Sequence, residues 1–330
     1  MDLRFRTMLC ACLGFGLLFS GCEARPSPQT EMVRLVADIH SYAQVRQPGF
    51  LLVGNGAAGL LEVTRENPEE NVARLLGALD GFLTESVFYE SVEDATVPRS
   101  AEMAAYLAAM LAKPLAAGKA VFTLDYVSDA ASAAADRAQG RAAGYVSMTV
   151  PRRELDVLPQ EPLTGENSRS VARLAAVRNF VILLNPSRFE SRAAYLAALR
   201  ASPADLLIID LYYGAAPLTR REVARLQEKP QGGRRLVLAY LSVGEAADYR
   251  PYWQKHWAAK RPDWLAQPNP AWPGSYRVKY WSRPWRRILY GSADAYLDEI
   301  IDAGFDGAFL DVMDAWQTFQ WADCIIKLNT

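Results

Sequence analysis

Eight short apolar runs separated by segments of helical spacing constrain this chain more than any other feature. FLLVG at 50–54, GFLTES at 81–86, KAVFTLD at 119–125 and GYVSM at 144–148 occupy its first half. NFVILL at 179–184, DLLIIDL at 205–211, RLVLAYL at 235–241 and DGAFLD at 306–311 occupy the second. Runs this short, bounded by turn residues, read as buried strands, whereas 31–46, 68–79, 100–117, 129–142, 190–200, 219–228 and 284–303 carry apolar residues at helical spacing. Regular strand–helix alternation predicts an α/β fold with parallel strands. Eight repeats predict a (β/α)8 TIM barrel, with an open doubly wound sheet as the alternative. A full amphipathic helix precedes the first strand and little chain follows the last, so such a barrel is cut at an unusual place.

The stretch 151–170 is rich in Pro, Glu, Ser and Gly and has no apolar period. It reads as a surface connection, with 159–170 linking two half-barrels, 31–158 and 171–320, of one domain. A chain of 330 residues that is 51% hydrophobic can bury one large core. The formal charge of −1, with Lys and Arg scattered, gives no electrostatic basis for nucleic acid as a partner. Eight Trp and fifteen Tyr are numerous enough to supply both core packing and faces on which sugars stack.

The N-terminus reads as an address. Arg4 and Arg6 precede an apolar run from Met8 to Ser20, and Ser20 and Gly21 stand directly before Cys22. This pattern resembles a bacterial lipoprotein signal, although Phe19 is unusual at its place, and an ordinary secretory signal is the alternative. The expectation is a signal at 1–21, lipidation at Cys22, a tether at 22–30, and a cell-envelope protein held on a membrane by acyl chains. Cys10 and Cys12 would leave with the signal, so only Cys22 and Cys324 remain and no disulfide framework is expected. His40 and His256 form no ligand cluster, and no metal-site spacing or Gly-rich phosphate loop is present, so neither a metal nor another cofactor is expected.

The segment 300–314, IIDAGFDGAFLDVMD, brings chemistry to a strand end: an apolar run finishes on Asp311, with Asp314 three residues on. In parallel α/β folds the C-terminal strand ends carry the reactive groups. Capping of a following helix is an equally good reading of Asp311 alone.

Longer motifs separate these readings. LAYLSVGEAADYRPYW at 238–253, NPAWPGSYRVKYW at 269–281 and GFDGAFLDVMDAW at 304–316 closely resemble barrel glycosidases related to endo-α-1,4-polygalactosaminidase, a family also labelled "cysteinyl-tRNA synthetase related". GFLLVGNGAAGLLE at 49–62, LDGFLTESVFYE at 79–90, KAVFTLDYVSD at 119–129 and GYVSMTVPRRELDVL at 144–158 resemble the same family. The order differs: in the family the second-half blocks come first. The chain therefore reads as circularly permuted, with its termini placed after the family's fourth strand and residues 159–170 joining the old ends. Barrel termini lie close together, so the join is physically cheap.

The resemblance implies hydrolysis of an amino-sugar polysaccharide by two carboxylates, with Asp311 as nucleophile and Glu85, in LTESVFY, as acid/base. Ser86 stands where many relatives carry a second acid. Asp210, Glu245 and Asp125 also end strand-like runs and either contact sugar hydroxyls or an amine or serve structure. Tyr240, Tyr280, Trp281, Tyr126 and Tyr89 either face sugar or pack the barrel mouth. Lys279 is either a sugar contact or an ion-pair partner of Asp311 or Asp210, and Asn55 with Gly56 either approaches ligand or forms an ordinary turn. A barrel that binds carbohydrate at the envelope without turning it over is the competing function.

Replacing Cys22 with Ala should abolish acylation and leave the protein unprocessed or released from membranes. Fractionation and mass spectrometry of the N-terminus read this out. Unchanged membrane partitioning would point to an ordinary signal instead.

Overall fold

A computed structural model of the chain describes residues 26–92, 95–159 and 162–319. The signal and Cys22, the first residues of the tether, and Cys324 lie outside the described residues.

All eight expected strands are present. Numbered in chain order, they are β1 (Leu51–Asn55), β2 (Gly81–Glu85), β3 (Ala120–Tyr126), β4 (Val146–Val150), β5 (Phe180–Leu183), β6 (Leu206–Ile209), β7 (Leu236–Ser242) and β8 (Gly307–Asp311). They form one parallel sheet in the order β4-β3-β2-β1-β8-β7-β6-β5. β4 and β5 lie side by side without a ladder between them. At this seam the Leu184 and Asn185 amides both donate to the Leu155 carbonyl. The result is a nearly closed (β/α)8 TIM barrel.

Strand pleat explains its two hydrophobic layers, because successive side chains alternate between faces. Val53, Leu83, Phe122, Met148, Ile182, Ile208, Leu238 and Phe309, one from each strand, form a single interior cluster. Their neighbours Leu52, Phe82, Val181, Leu207, Val237, Ala239, Ala308 and Leu310 point outward and pack beneath the helices. Val171, Leu174 and Val177, from the segment entering β5, join the interior cluster. Leu155, inside the stretch 151–170 read as a surface connection, is buried in the same cluster.

The helices are α1 (Pro28–Arg46), α2 (Glu69–Ala78), α3 (Ala101–Ala116), α4 (Ala130–Ala143), α5 (Arg192–Ala201), α6 (Arg220–Leu226), α7 (Arg283–Leu289) and α8 (Tyr296–Asp302). α1 starts at Pro28, inside the span expected to be tether, because Ser27 caps it by accepting from the Thr30 amide and Pro occupies its first turn. The single helix expected over 284–303 is two. Gly291, at φ 99°, turns the chain between α7 and α8, and its amide donates to the buried Asp298 carboxylate.

Strand β1 pairs with β8 from Leu51↔Gly307 to Gly54↔Leu310, as the permuted order requires. Beside this ladder α1 is tied to α8 and its following turn: Tyr42 donates to Asp298, Arg46 pairs with Asp298, and Gln47 donates to the Phe305 carbonyl. The two ends of the described barrel meet. Tyr280 donates to the Pro28 carbonyl while its ring packs against Phe319.

Between β7 and α7 lies a small antiparallel sheet of Glu245–Ala247, Ser275–Val278 and Leu265–Pro268, backed by Trp253, Trp257, Trp264 and Trp285. It stands over the C-terminal end of the barrel.

Gly307 begins β8 between two partners, and a Cβ there would sit 2.1 Å from the Leu51 carbonyl oxygen and 2.7 Å from Leu238 Cδ2. Gly307→Ala should therefore push β1 and β7 off β8 and cost about 2 kcal/mol or more. Urea unfolding of the variant, with a lower midpoint at unchanged m-value, is the expected result.

Candidate active site

Three neighbouring strands end in polar side chains on the interior face of the pleat: Asn55 on β1, Glu85 on β2 and Asp311 on β8. In each, the next residue turns the backbone into the left-handed region: Gly56 at φ 74°, Ser86 at φ 54° and Val312 at φ 62°. Glycine does this freely, but a branched Val rarely does. Strain of this kind, about 1–3 kcal/mol per residue, persists where surrounding structure enforces it and clusters at functional sites.

Asn55 binds the two acids together. Its Nδ2 donates to Glu85 Oε1 at 2.7 Å and to Asp311 Oδ1 at 2.8 Å. Both carboxylates can only accept when ionised, so the amide must present its NH2 end to them. Sharing one nitrogen limits the two oxygens to a separation of at most 5.5 Å, the sum of the two contacts. With the two N–H bonds about 120° apart, it is roughly 4.8 Å.

The electrostatics follow from this crowding. Burial, then the Glu85 charge, pushes Asp311 up to about 6, against the hydrogen bonds from Asn55, the Val312 backbone and Tyr240. On the far side of Glu85, the Tyr126 hydroxyl donates to Oε2, and burial and that carboxylate together raise the phenol, so it remains a donor. Burial first, then the Asp311 charge, likewise raises Tyr240.

Further groups surround this centre. Asp314 is raised by burial and by Glu85; Glu245 is raised by burial and by Asp314, while accepting from Asn269 Nδ2 at 2.8 Å. Four carboxylates therefore run along one side of the mouth, with Arg277 acting on the outer two. Asp210 is held by Arg250 through two bonds of 2.8 and 2.6 Å, and the guanidinium lies 5.1–6.0 Å from the ring centres of Tyr212, Tyr240, Tyr249 and Tyr296. Arg153, beyond β4, lies 5.7 Å from the rings of both Tyr126 and Trp272. Trp272 lies in the turn joining Leu265–Pro268 to Ser275–Val278 of the small sheet after β7, so this contact reaches across the mouth.

The structure thus gathers Asp311, Glu85, Asn55, Tyr126 and Tyr240 into one centre, with Asp210 and Glu245 at its border. Tyr89 is half-buried in the hairpin just after Glu85. The other expected contacts have different surroundings. Asp125 is fully buried and accepts from the Phe88 and Tyr89 amides, so its carboxylate faces the loop and not the cleft. Tyr280 is fully buried against Phe319, and half-buried Trp281 joins the same cluster, so both pack beside the start of α1. Lys279 is exposed, and no ion pair with Asp311 or Asp210 is recorded for it among the described residues. Arg250, Arg153 and Trp272 escaped the sequence reading as site residues, and Asp314 stood there beside Asp311 without a role of its own. Arg250 was the most inferable, since a buried Asp210 requires a cationic partner.

Residues 179–325 match the model of Glycoside-hydrolase family GH114. Over that segment, which is under half of its length, the chain is similar to the GH114 glycoside hydrolases. The GH114 match contains the blocks at 238–253, 269–281 and 304–316, and the blocks at 49–62, 79–90, 119–129 and 144–158 all precede it. Three uncharacterized proteins are also similar to this chain. One from Methanocaldococcus jannaschii is 33% identical over 157 residues, 44% of this chain and 43% of its own. One from Thermotoga maritima is 45% identical over 85 residues, 26% and 24% of the two chains. One from Deinococcus radiodurans is 40% identical over 122 residues, 37% of each. The matched segments span less than half of every one of these relatives.

Removing the shared donor should be felt by both acids. In Asn55→Ala, Asp311 loses a bond that favours its carboxylate, so it should titrate above its present value of about 6. An upward shift of about one unit is expected from a charged hydrogen bond. Carboxyl 13C NMR titration measures it; an unshifted or lowered value would mean that Asn55 does not set the ionisation.

Proposed function

We propose that this chain is a glycoside hydrolase of the endo-α-1,4-polygalactosaminidase type, cleaving an amino-sugar polysaccharide at the cell envelope by a two-carboxylate mechanism. The observation that carries the reading is the Asn55 amide shared between Glu85 and Asp311. It sets two acids at a spacing suited to retaining hydrolysis, which uses carboxyl groups about 5–5.5 Å apart, whereas inversion needs roughly 6.5–9.5 Å to admit a water.

In this reading Asp311 attacks the anomeric carbon while Glu85 protonates the departing glycosidic oxygen, forming a glycosyl ester on Asp311. Glu85 then takes a proton from the water that hydrolyses the ester, so the anomeric configuration is retained. Asn55 and Tyr240 keep the Asp311 oxygens aligned, and Tyr126 orients Glu85. A substrate amine bears positive charge near neutral pH, and the row Glu245, Asp314, Glu85 and Asp311 is a complementary surface for it. The N-terminal lipoprotein-like signal supports the envelope location.

The pH dependence has a defined sign. The active pair carries one proton, and because the charge of ionised Glu85 helps hold Asp311 up to about 6, above that value both acids are charged and no proton remains for the departing oxygen, so the rate should fall as pH climbs through it. Asp311→Asn and Glu85→Gln should each lower kcat by about two orders of magnitude or more on any amino-sugar polymer that the wild type cleaves. Asp311→Asn should also unfold at a higher temperature than wild type above pH 6, because it removes a carboxylate whose ionisation the native state resists. Proton NMR of the first-formed reducing ends reads the anomer. Normal turnover by both variants would overturn the assignment, and sugar binding without turnover by wild type would make the chain a binding protein.

A further inference from the structure

The outward face of β3 beneath α4 carries a buried acid pair that catalysis does not use directly. Asp125 and Asp136 are both fully buried, and each acts electrostatically on the other. Among the described residues, Asp125 Oδ2 and both oxygens of Asp136 have no hydrogen-bond partner. Two neighbouring buried carboxylates with three oxygens lacking a donor could not both stay ionised without a heavy desolvation cost, so the pair retains a proton.

What the pair holds is the segment following Glu85. Asp125 Oδ1 accepts from the Phe88 amide at 3.1 Å and the Tyr89 amide at 3.2 Å. The residues flanking Asp125 hold the same turn: the Leu124 carbonyl accepts from the Ser86 amide, and the Tyr126 hydroxyl donates to Glu85. Three consecutive residues of β3 therefore define where the strained Glu85–Ser86 turn sits. We propose that Asp125 and Asp136 share one proton, and that this pair is a positioning device that locks the Val87–Tyr89 segment and so aims Glu85 into the cleft.

The surroundings suit that role. Arg137, the next residue on α4, is the opposite charge acting on Asp136. Thr123 on β3 and Ser147 on β4 hydrogen-bond to each other at 2.8 Å, and Gly140, one turn beyond Asp136, lets α4 approach Ser147. Burial, followed by contact with Asp125, pushes Asp136 up to about 9. The native pair thus keeps a proton that an unfolded Asp releases near 4. Between these values the unfolded chain binds fewer protons, so the pair's contribution to stability falls as pH rises.

The test compares wild type, Asp136→Asn and Asp136→Ala by thermal unfolding from pH 5 to 8.5 and by amide hydrogen exchange. The amide of Asp136→Asn can donate to Asp125 without needing a proton. Wild type should lose midpoint with rising pH more steeply than Asp136→Asn, while Phe88 and Tyr89 stay protected in both. Asp136→Ala should exchange those two amides at least tenfold faster, with Asp136→Ser as the substitute if it does not fold. On a cleaved substrate, Asp136→Ala should lose about tenfold or more in kcat at nearly constant KM, and Asp136→Asn should stay within about twofold. This kinetic arm rests on the glycosidase reading above, whereas the thermal and exchange arms do not. Parallel midpoint curves would overturn the shared proton, and unchanged exchange in the Ala or Ser variant would overturn the positioning role.

Discussion

The ladder between β1 and β8 is the contact on which the rest of the structure depends. It joins segments about 256 residues apart, and nothing local compels it. Once formed, it places Asn55 beside Asp311, and the β1–β2 ladder places Glu85 on the other side of Asn55. The centre is a consequence of two adjacent ladders and one pleat rule: residues of matching phase at three neighbouring strand ends must face the same interior.

The same ladder makes sense of the permuted order. In a parallel barrel every strand neighbours two others irrespective of where the chain is cut, provided the cut lies in a connection and the old ends are rejoined. Here the ends of the described barrel, after β8 and before α1, meet through Tyr280, Pro28 and Phe319. The segment from β4 to β5 has a 3-10 turn at Leu174–Ala176 and no α-helix among its described residues, and Val171, Leu174 and Val177 in it fill the barrel interior. Closing a long loop costs little more than closing a short one, so the permuted chain keeps the native contacts at a modest entropic cost.

Around the centre, buried charge is arranged by one principle: each carboxylate has a donor, a cation or a proton. Asp210 has Arg250, Asp298 has Tyr42 and Arg46, Asp205 has Lys229, and Asp125 has Asp136. Glu85 and Asp311 differ in sharing a single amide while crowding each other. That under-compensation raises Asp311 toward neutrality and leaves two acids poised at the mouth. The backbone is strained at the same places, with Ser86 and Val312 both left-handed.

How much of this was legible follows from what is local. The eight strands, their alternation with helices and the two acids at strand ends could be read from the chain, because apolar period and turn residues are short-range signals. The break between α7 and α8 was hidden inside a continuous apolar pattern, since a single glycine and the buried Asp298 decide it. The fate of Asp125, Tyr280 and Lys279 was equally hidden: each sits at or near a strand end, and sequence cannot say which face of that end looks into the cleft. The amino-acid order therefore determines the elements and the chemistry available at their tips. Which of those tips converge, which are buried beneath a loop, and which acids must share a donor or a proton depend on contacts between residues tens to hundreds of positions apart, and only the closed barrel creates them.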